Sequence, residues 1–430
     1  MCTGLARSAL LLAAVLCLAP ACRAGADPAW NTVDDMPVVD LVEPADDATV
    51  ARWISDLGEM RGDASRRARK KLLEQGLRVA DPLRDVAGED SLRGLNARSV
   101  LEILAPSIRT AWTLQDLADF TIIDDGRGIL AWTGDPPRNL IQFDTGTGKP
   151  ARTVTEKDLQ GLFDEKDDIF WNPRLRPRLD PKSGHYVVMT WSKTQVTLNP
   201  GDGKLSKSEF LPEPTLRRRW ASERKTVPRS LTLPDQSVIQ WSNDGVQARR
   251  AKSDAWTYLT LGRIRARVHD VGATPFHFYT LLDFGLCAHN RMSLKLELEA
   301  WAPPGAEWMH VSAQTGLVIL GGEDWTSLAV LGGLPPKPLG RCPAQFGAMR
   351  AMASDRDGRW IATADEAGFI RIFLAETLER ITTVAGTAPV DRLEFSSDPP
   401  LLMAITGKED GWNRRHSIQA WTLSPPPATK

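Results

Sequence analysis

Hydrophobic positions follow two different periods along this chain. Between residues 46 and 106 they recur at helical spacing, as in Val50, Ile54 and Leu57, which predicts a module of four short helices. From residue 107 to residue 424, short apolar runs alternate with polar residues and are separated by turn signals, which predicts β-strands. The pattern therefore indicates a small all-α module followed by a larger, mainly β domain.

A repeat runs through the carboxyl-terminal part of the chain. Val311–Trp325 aligns without a gap on Ala353–Ala367, at an offset of 42 residues, and Leu393–Asp398 matches Arg350–Asp355. Each copy has the order strand, tight turn, strand, polar connection and strand. A period of about 40 to 45 residues with this order is typical of the four-stranded blades of a β-propeller.

The repeat resembles that of the WD-repeat proteins. In Ser354–Phe373, a serine and an Asp-Gly turn precede an apolar strand, an acidic-Gly connection and a strand that ends in an aromatic residue. The last copy ends at Ile418–Trp421, with its aromatic residue in the place that the family uses. The spacing of the turn signals gives about seven blades, with polar insertions at Glu156–Pro181 and Leu211–Pro228. The resemblance therefore implies a WD-repeat-like β-propeller of about seven blades.

Two departures from the family change what holds the blades together. Thr422 replaces the aspartate that follows the terminal tryptophan, and Gly386–Thr387 stands where a Gly-His pair is expected. We therefore expect packing, and not the family's buried hydrogen-bond network, to carry most of the stability. The last copy has only three strands, and Trp112–Leu117 is expected to supply its outer strand, because a closed ring leaves no edge unpaired.

The helical module resembles a HEAT-type repeat. Ala68–Gly76, followed by Ala80–Leu83, is similar to a pair of HEAT helices, and the resemblance covers residues 46 to 105. Two such pairs bury too little apolar surface to be stable alone, since solenoid units are stabilised by their neighbours. The module is therefore expected to dock on the β domain.

The amino terminus has the features of a signal peptide, predicted for residues 1–26. Arg7 precedes an apolar run from Ser8 to Ala19, and Ala24–Ala26 supplies small residues before the predicted cleavage site. The run is short for a membrane span, so we expect no transmembrane segment after signal removal. Cys22 follows a small residue and is a candidate for lipidation, so a cleaved secretory protein and a membrane-anchored lipoprotein remain alternatives. Either predicts export, to the periplasm or the extracellular space.

Composition narrows the class of protein. Apolar residues make up 42% of the chain and charged residues 25%, which excludes a disordered chain. The net charge of −1 argues against nucleic acid as the main partner. Outside the leader only Cys287 and Cys342 remain, which either pair in an oxidising compartment or lie apart in the core.

No catalytic motif is present in the sequence. The histidines fall in different repeat copies without a signature, and no Gly-x-Ser-x-Gly, phosphate-binding loop or His-Glu-x-x-His occurs. Asp355–Gly358 has alternating oxygen ligands but is better explained as a turn between strands than as a calcium site. The sequence therefore predicts no catalytic residue, metal or cofactor.

Tryptophan is unusually frequent, with 15 residues against 3 tyrosines. Trp132, Trp191 and Trp241 recur at the end of the second strand of three copies, and Trp325 and Trp412 lie in the equivalent connections of two others. These five residues are candidates for a binding surface on one face. The alternative is that they pack between blades as core.

The predicted organisation is a signal peptide (1–26), a linker (27–45), a HEAT-like module (46–106), a WD-repeat-like propeller (107–424) and a disordered tail (425–430). It favours an exported, monomeric, non-enzymatic binding or scaffold protein whose propeller face engages a protein or peptide. The alternatives are a hydrolase or lyase with its site at the channel mouth, and a carbohydrate-binding propeller.

Overall fold

The computed structural model describes the chain in segments. These are residues 32–41, 44–60, 62–123, 128–133, 139–155, 178–179, 186–189, 194–198, 205–209, 229–233, 235–242, 245–250, 253, 255–259, 261, 267–283, 285–312, 315–345, 347–355, 357–386, 388–397, 400–410 and 413–424. The signal peptide, Cys22, Trp191, Trp412, nearly all of both insertions and the tail lie outside the described residues. The predictions made for them are not addressed by the structure.

Four α-helices occupy the predicted helical module. They are α1 (Asp47–Asp56), α2 (Gly62–Glu74), α3 (Ala80–Ala87) and α4 (Leu92–Leu104). Asp46 caps α1, since its side chain accepts a hydrogen bond from the Thr49 N–H. Ser91 caps α4, since its side chain accepts a hydrogen bond from the Gly94 N–H. Within the described part of the chain, no helix is both long and apolar enough to cross a membrane.

Strands make up most of the rest of the described residues. They are β1 (Ser107–Ile123), β2 (Gly128–Thr133), β3 (Asn139–Asp144), β4 (Pro150–Val154), β5 (Arg178–Leu179), β6 (Tyr186–Met189), β7 (Thr194–Leu198), β8 (Leu205–Glu209), β9 (Arg229–Thr232), β10 (Val238–Ser242), β11 (Gly245–Arg249), β12 (Trp256–Tyr258), β13 (Val268–Ala273), β14 (His277–Leu282), β15 (Gly285–Asn290), β16 (Leu296–Ala300), β17 (Ala306–Val311), β18 (Val318–Gly322), β19 (Ser327–Gly332), β20 (Lys337–Pro343), β21 (Met349–Ser354), β22 (Trp360–Asp365), β23 (Phe369–Leu374), β24 (Arg380–Ala385), β25 (Arg392–Ser397), β26 (Pro400–Asp410) and β27 (Asn413–Ser424). The protein is therefore mainly β, with a small helical module, as the hydrophobic pattern predicts.

The described strands form six antiparallel sheets. Five contain four consecutive strands: β5–β8, β9–β12, β13–β16, β17–β20 and β21–β24. The sixth has seven strands in the order β25-β26-β27-β1-β2-β3-β4. Because β1 is long enough to pair at different points with β27 and with β2, this sheet consists of two groups of four strands that share β1.

The shared strand changes partner at Leu117. Residues 107 to 117 of β1 pair with β27, with Ile108 opposite Leu423 and Leu114 opposite Ile418. Residues 117 to 123 pair with β2, and Leu117 itself lies opposite both His416 and Thr133. The prediction that Trp112–Leu117 supplies the outer strand of the last repeat is therefore confirmed.

The described residues separate into two compact units. The first contains residues 230–320 and 329–341 with the described residues up to Val38, and the second contains the remainder. Within the second unit the helices share one core with β21–β27, in which Leu57, Leu83 and Leu104 pack with Ile372 and Trp421. The Trp360 indole N–H donates to the Ile103 carbonyl at 2.9 Å, and the Leu77 N–H donates to the Glu379 carboxylate at 2.6 Å. The helical module therefore docks on the β-strands, as expected.

Cys287 and Cys342, the two cysteines outside the leader, are both free thiols in the structure. Cys287 is buried in β15, and the Cys342 thiol in β20 lies 3.6 Å from the Leu378 carbonyl oxygen. Burial raises the pKa of Cys342 to about 11 and, together with the nearby Glu299, that of Cys287 to about 12. Cys287 is therefore a small residue of the interior and Cys342 is half-buried, and the raised pKa values disfavour the reactive thiolate of both.

Candidate functional site

The connections between the second and third strands of two successive sheets carry a group of exposed acidic side chains in the second unit. Residues 323–326 join β18 to β19, and residues 366–368 join β22 to β23. Two backbone hydrogen bonds fix the first connection, since the Met349 N–H donates to the Trp325 carbonyl at 2.9 Å and the Asp324 N–H donates to the Met349 carbonyl at 3.1 Å. The connection is thereby held beside the start of β21.

Arg350 follows Met349 and lies among three carboxylates. Its guanidinium is 2.9 Å from Glu323 Oε1, 3.4 Å from Asp324 Oδ1 and 3.8 Å from Glu366 Oε2. More than half of each acidic side chain is exposed. We call these four residues the Arg350 cluster. Three carboxylates against one guanidinium leave the cluster with a net charge of −2.

A buried polar layer lies in the same part of the second unit. Arg371 on β23 donates to the Ala344 carbonyl at 3.0 Å and to the Gln345 side chain, and it lies 3.9 Å from Asp365 Oδ2. The Gln345 amide donates to Thr363 Oγ1 at 2.5 Å. All four side chains are almost fully buried. We call Gln345, Thr363, Asp365 and Arg371 the Arg371 layer.

The Arg371 layer shapes the connection that carries Glu366. Asp365 Oδ1 accepts hydrogen bonds from the Ala367 N–H at 3.1 Å and from the Phe369 N–H at 2.9 Å. Gly368 has a φ of +84°, and an added Cβ would lie 2.7 Å from the Ala388 carbonyl oxygen, so only glycine fits there. Because Asp365 and Gly368 fix this tight turn, Glu366 is held in place beside Arg350.

Asp355 forms a turn, as the sequence predicts. Its Oδ1 accepts the N–H groups of Arg359 at 2.5 Å and Trp360 at 2.8 Å, and its Oδ2 accepts the Arg359 Nε–H at 2.8 Å. Burial raises the pKa of Asp355, although these hydrogen bonds oppose the shift. Its oxygens are thus occupied by the turn. Within the described ranges there is no cluster of three or more His, Cys, Asp or Glu side chains suited to a metal ion.

The five tryptophans predicted as a binding surface have different environments. Trp241 lies inside β10 with 9% of its surface exposed, in the core of the first unit. Its indole N–H has no hydrogen-bond partner among the described residues. Trp325 is half-buried and adjoins the Arg350 cluster in sequence. Trp132 lies in β2, but its side chain, like Trp191 and Trp412, is outside the described part of the chain. Trp241 is therefore a core residue, and Trp325 alone is placed at the candidate site.

Two histidines of the sheet β13–β16 contact carboxylates. His269 Nε2 is 2.6 Å from Asp283 Oδ1, and His277 Nε2 is 2.9 Å from Glu297 Oε2. Partial burial acts to raise the pKa of Asp283, but hydrogen bonds from His269 and from the Arg267 N–H outweigh it and lower the pKa below its usual range. The first pair joins β13 to the end of the adjacent strand β14, whereas the second joins β14 to β16 across the strand β15 that lies between them.

Sequence analysis missed the Arg350 cluster and the Arg371 layer. A signal for the first was present, since Glu323 and Asp324 align with Asp365 and Glu366 at the offset of 42. An acidic pair at the same place in two copies marks a shared connection. No comparable signal marked Arg371, because a charged residue within an apolar strand is ordinarily assigned to the exposed face.

Comparison with known proteins does not assign the chain to a family. It matches none of the protein-family models, and no curated protein is significantly similar to it. The function therefore has to be argued from the geometry of the chain itself.

A pH dependence arises from His310 in β17. Its side chain is 5% exposed, Nε2 has no hydrogen-bond partner among the described residues, and burial lowers its pKa to about 4. The unfolded chain has the ordinary pKa of about 6.5, so the unfolded state binds the proton more tightly. The stability that this group contributes is complete above pH 6.5 and is lost as the pH falls toward 4, by about 3 kcal/mol.

We expect His310→Met to remove this component of acid lability. The free energy of unfolding, measured in urea at pH 7, 5.5 and 4, should fall less steeply for His310→Met than for the native protein. His277→Met is the matched control, because His277 contacts Glu297 and is less buried. Equal pH profiles for the native protein and His310→Met would contradict the assignment.

Proposed function

We propose that the seven groups of four strands close into a seven-bladed, WD-repeat-like propeller, and that the protein is an exported, non-enzymatic binding or scaffold protein. The observation that carries the proposal is β1, which pairs with both β27 and β2. A strand from the start of the β domain that completes the last sheet is how a ring of sheets avoids a free edge. The WD-like turns of Ser354–Phe373 and the signal-like leader support it further.

A rigid ring of sheets favours recognition through the connections at its edges. The Arg350 cluster is such a surface, since backbone hydrogen bonds hold it and its carboxylates are exposed. Its charge of −2 suits a protein or peptide segment that carries lysine or arginine. Trp325 beside it supplies apolar area of the kind that anchors interfaces. The partner that we propose is therefore a basic peptide segment of another protein.

The helical module extends the available surface. Ser55, Met60, Leu92 and Arg93 line an open groove of about 540 Å³, and 94% of the Met60 surface is exposed. Exposed apolar residues in a groove are typical of protein contacts. A second contact here supports a role as a scaffold.

A hydrolase is the second candidate, favoured by the contact of His269 with Asp283. A histidine held by a carboxylate is the usual orientation of a general base. Replacement of His269 by glutamine separates the two proposals, since it should abolish hydrolysis if the pair is catalytic and leave partner binding unchanged if it is structural.

The test is capture of partners from the envelope fraction by the protein expressed with its own leader. Glu323→Gln with Glu366→Gln removes two charges from the Arg350 cluster, and Asp85→Asn with Glu102→Gln removes two from the helical module, away from the groove. We expect the first double variant to capture at least tenfold less partner than the native protein, and the second to capture the same amount as the native protein. Recovery of the same partner by both variants would overturn the proposed surface, and protein confined to the cytoplasm would overturn export.

A further inference from the structure

A cavity of about 310 Å³ lies in the second unit between the last sheet and the connection that leads into it. Residues of β26, β27 and β1 form one wall, and residues 386 and 388–390 form part of the other. Its volume is at the lower end of the range of about 300–1,000 Å³ that is typical of small-molecule sites. It is separate from the Arg350 cluster and shares none of its residues.

The cavity lies where the preceding sheet has the Arg371 layer. The Gln345 N–H donates to the Thr326 carbonyl at 2.9 Å, and the Gly386 N–H donates to the Gly368 carbonyl at 2.8 Å. Thr326 and Gly368 each directly precede the third strand of a sheet. Gly386 therefore occupies the position in its connection that Gln345 occupies in the previous one.

Strand register extends this equivalence to the sheet itself. In the preceding sheet, Thr363 lies opposite Arg371, two residues before the aromatic Phe373. In the last sheet, Ala404 lies opposite Gln419, two residues before the aromatic Trp421. The equivalent pairs are Gln345 and Gly386, Thr363 and Ala404, Asp365 and Thr406, and Arg371 and Gln419. Gln345, Thr363 and Arg371 have smaller counterparts in the last sheet, Thr406 is similar in size to Asp365, and both charges are lost. The cavity is the space that these side chains leave.

The cavity retains one polar group without a partner. Gln419 Oε1 is fully buried, and no described residue donates a hydrogen bond to it. Such a buried acceptor costs about 1–3 kcal/mol, so in native structures it is normally satisfied by protein, solvent or a ligand. In the Arg371 layer the donors come from side chains. Here no described residue supplies one, so an occupant, whether solvent or a ligand, is the available donor.

The lining defines the chemistry of the occupant. Thr113, Thr406 and Ser417 supply hydroxyl groups, and Gln115 and Gln419 supply amides. Hydroxyl and amide groups both donate and accept. Pro389 and Val390 supply apolar surface, and no charged side chain lies among the described residues that line the cavity. An occupant with several hydroxyl groups on a compact apolar ring matches this mixture, whereas an ion would be buried without a counter-charge.

We propose that this cavity binds a small uncharged polyol, of the size of a monosaccharide, with Gln419 Oε1 accepting a hydrogen bond from one of its hydroxyl groups. This proposal does not depend on the proposed partner surface. The two fail separately, because their residues and their assays are different.

Binding is tested by titration calorimetry with glucose, galactose, N-acetylglucosamine and myo-inositol, with glucuronate as the charged comparison. We expect at least one neutral probe to bind the native protein, and glucuronate to bind at least tenfold more weakly than that probe. The absence of binding by every neutral probe, or equal binding of glucuronate, would overturn the proposal. In the first case the cavity holds only water.

Two variants locate the site. Gln419→Leu removes the buried acceptor with little change in side-chain volume. The variant should therefore unfold at the same temperature as the native protein but bind the probe at least tenfold more weakly. The triple variant Ala404→Thr, Thr406→Asp and Gln419→Arg restores the residue types of the preceding sheet and should exclude the probe. Gln247→Leu, on a strand of the first unit, is the control and should bind normally. Native affinity in folded Gln419→Leu or in the folded triple variant would overturn the assignment.

Discussion

Replacing Arg371 with methionine should lower the free energy of unfolding by about 3–5 kcal/mol. The guanidinium is 5% exposed and the neighbouring Asp365 side chain 3% exposed, so the variant leaves a carboxylate buried without its opposite charge. It also removes the donors to the Ala344 carbonyl and the Gln345 side chain. Urea unfolding followed by circular dichroism measures the loss.

Two further variants show how much of the loss in stability comes from leaving the Asp365 carboxylate buried without its opposite charge. Arg350→Met removes an exposed guanidinium, and we expect a change of at most about 1 kcal/mol. Adding Asp365→Asn to Arg371→Met should recover part of the loss, because the buried carboxylate is then neutral. A loss below 1 kcal/mol for Arg371→Met would show that the Arg371 layer contributes little to stability.

Replacing Leu117 with alanine should destabilise the two groups of strands that share β1 together. Leu117 is 1% exposed and packs in one core with Phe120, Ile129 and Ile418. Truncation of a buried leucine costs about 2–5 kcal/mol. Because Leu117 lies opposite both His416 and Thr133, hydrogen exchange should accelerate in β27 and in β2 to a similar extent.

Leu95→Ala is the control for this variant, since Leu95 is 55% exposed on α4 and its truncation should change stability by less than about 0.5 kcal/mol. Faster exchange in β2 with unchanged protection in β27 would mean that β1 does not join the two groups. Such a result would also remove the main support for a closed ring.

The sequence was sufficient for the class of the protein and for its most unusual strand pairing. The period of the hydrophobic positions distinguishes helices from strands directly. The last repeat has only three strands, so its fourth strand had to come from another part of the chain. The helix ends were less accessible. At α4 the first apolar side chain of the buried face is Ala97, whereas Ser91 caps the helix, which begins at Leu92. A cap outside the periodic stretch moves the boundary without changing the pattern.

Alignment by motif misplaced the last repeat by two residues. The sequence match pairs Leu393 with Arg350, whereas strand register makes Leu393, opposite Ala404, equivalent to Met352, opposite Thr363. The two hairpins have the same length, since Met352 and Thr363 are 11 residues apart and so are Leu393 and Ala404. The offset between the two copies is therefore 41 residues on both strands, and not the 43 residues of the motif match. A shift of two keeps every side chain on its face, so the hydrophobic pattern does not reveal it. The cavity therefore became visible only in the structure.

The frequency of tryptophan in the sequence does not predict where each indole lies in the structure. Trp241 is predicted at the end of a second strand and Trp325 in a connection, and the strands have these bounds, since β10 extends through Trp241 to Ser242 and β18 ends at Gly322. The first indole is consequently packed in a core and the second lies in a connection. Strand length decides this, and neighbouring strands set strand length as much as local sequence does.

β1 pairs with strands from both ends of the β domain, and this pairing also determines when the protein is able to fold. Arg109 and Thr422 are 313 residues apart, yet the Thr422 hydroxyl donates to the Arg109 carbonyl at 3.3 Å. Closing a loop of this length costs about 5 kcal/mol of chain entropy before any contact compensates. Until the ribosome has released the last strand, the amino-terminal half of β1 presents an unpaired edge to other nascent chains. A truncated translation product would keep that edge permanently, so early termination should yield aggregates and not a smaller folded domain.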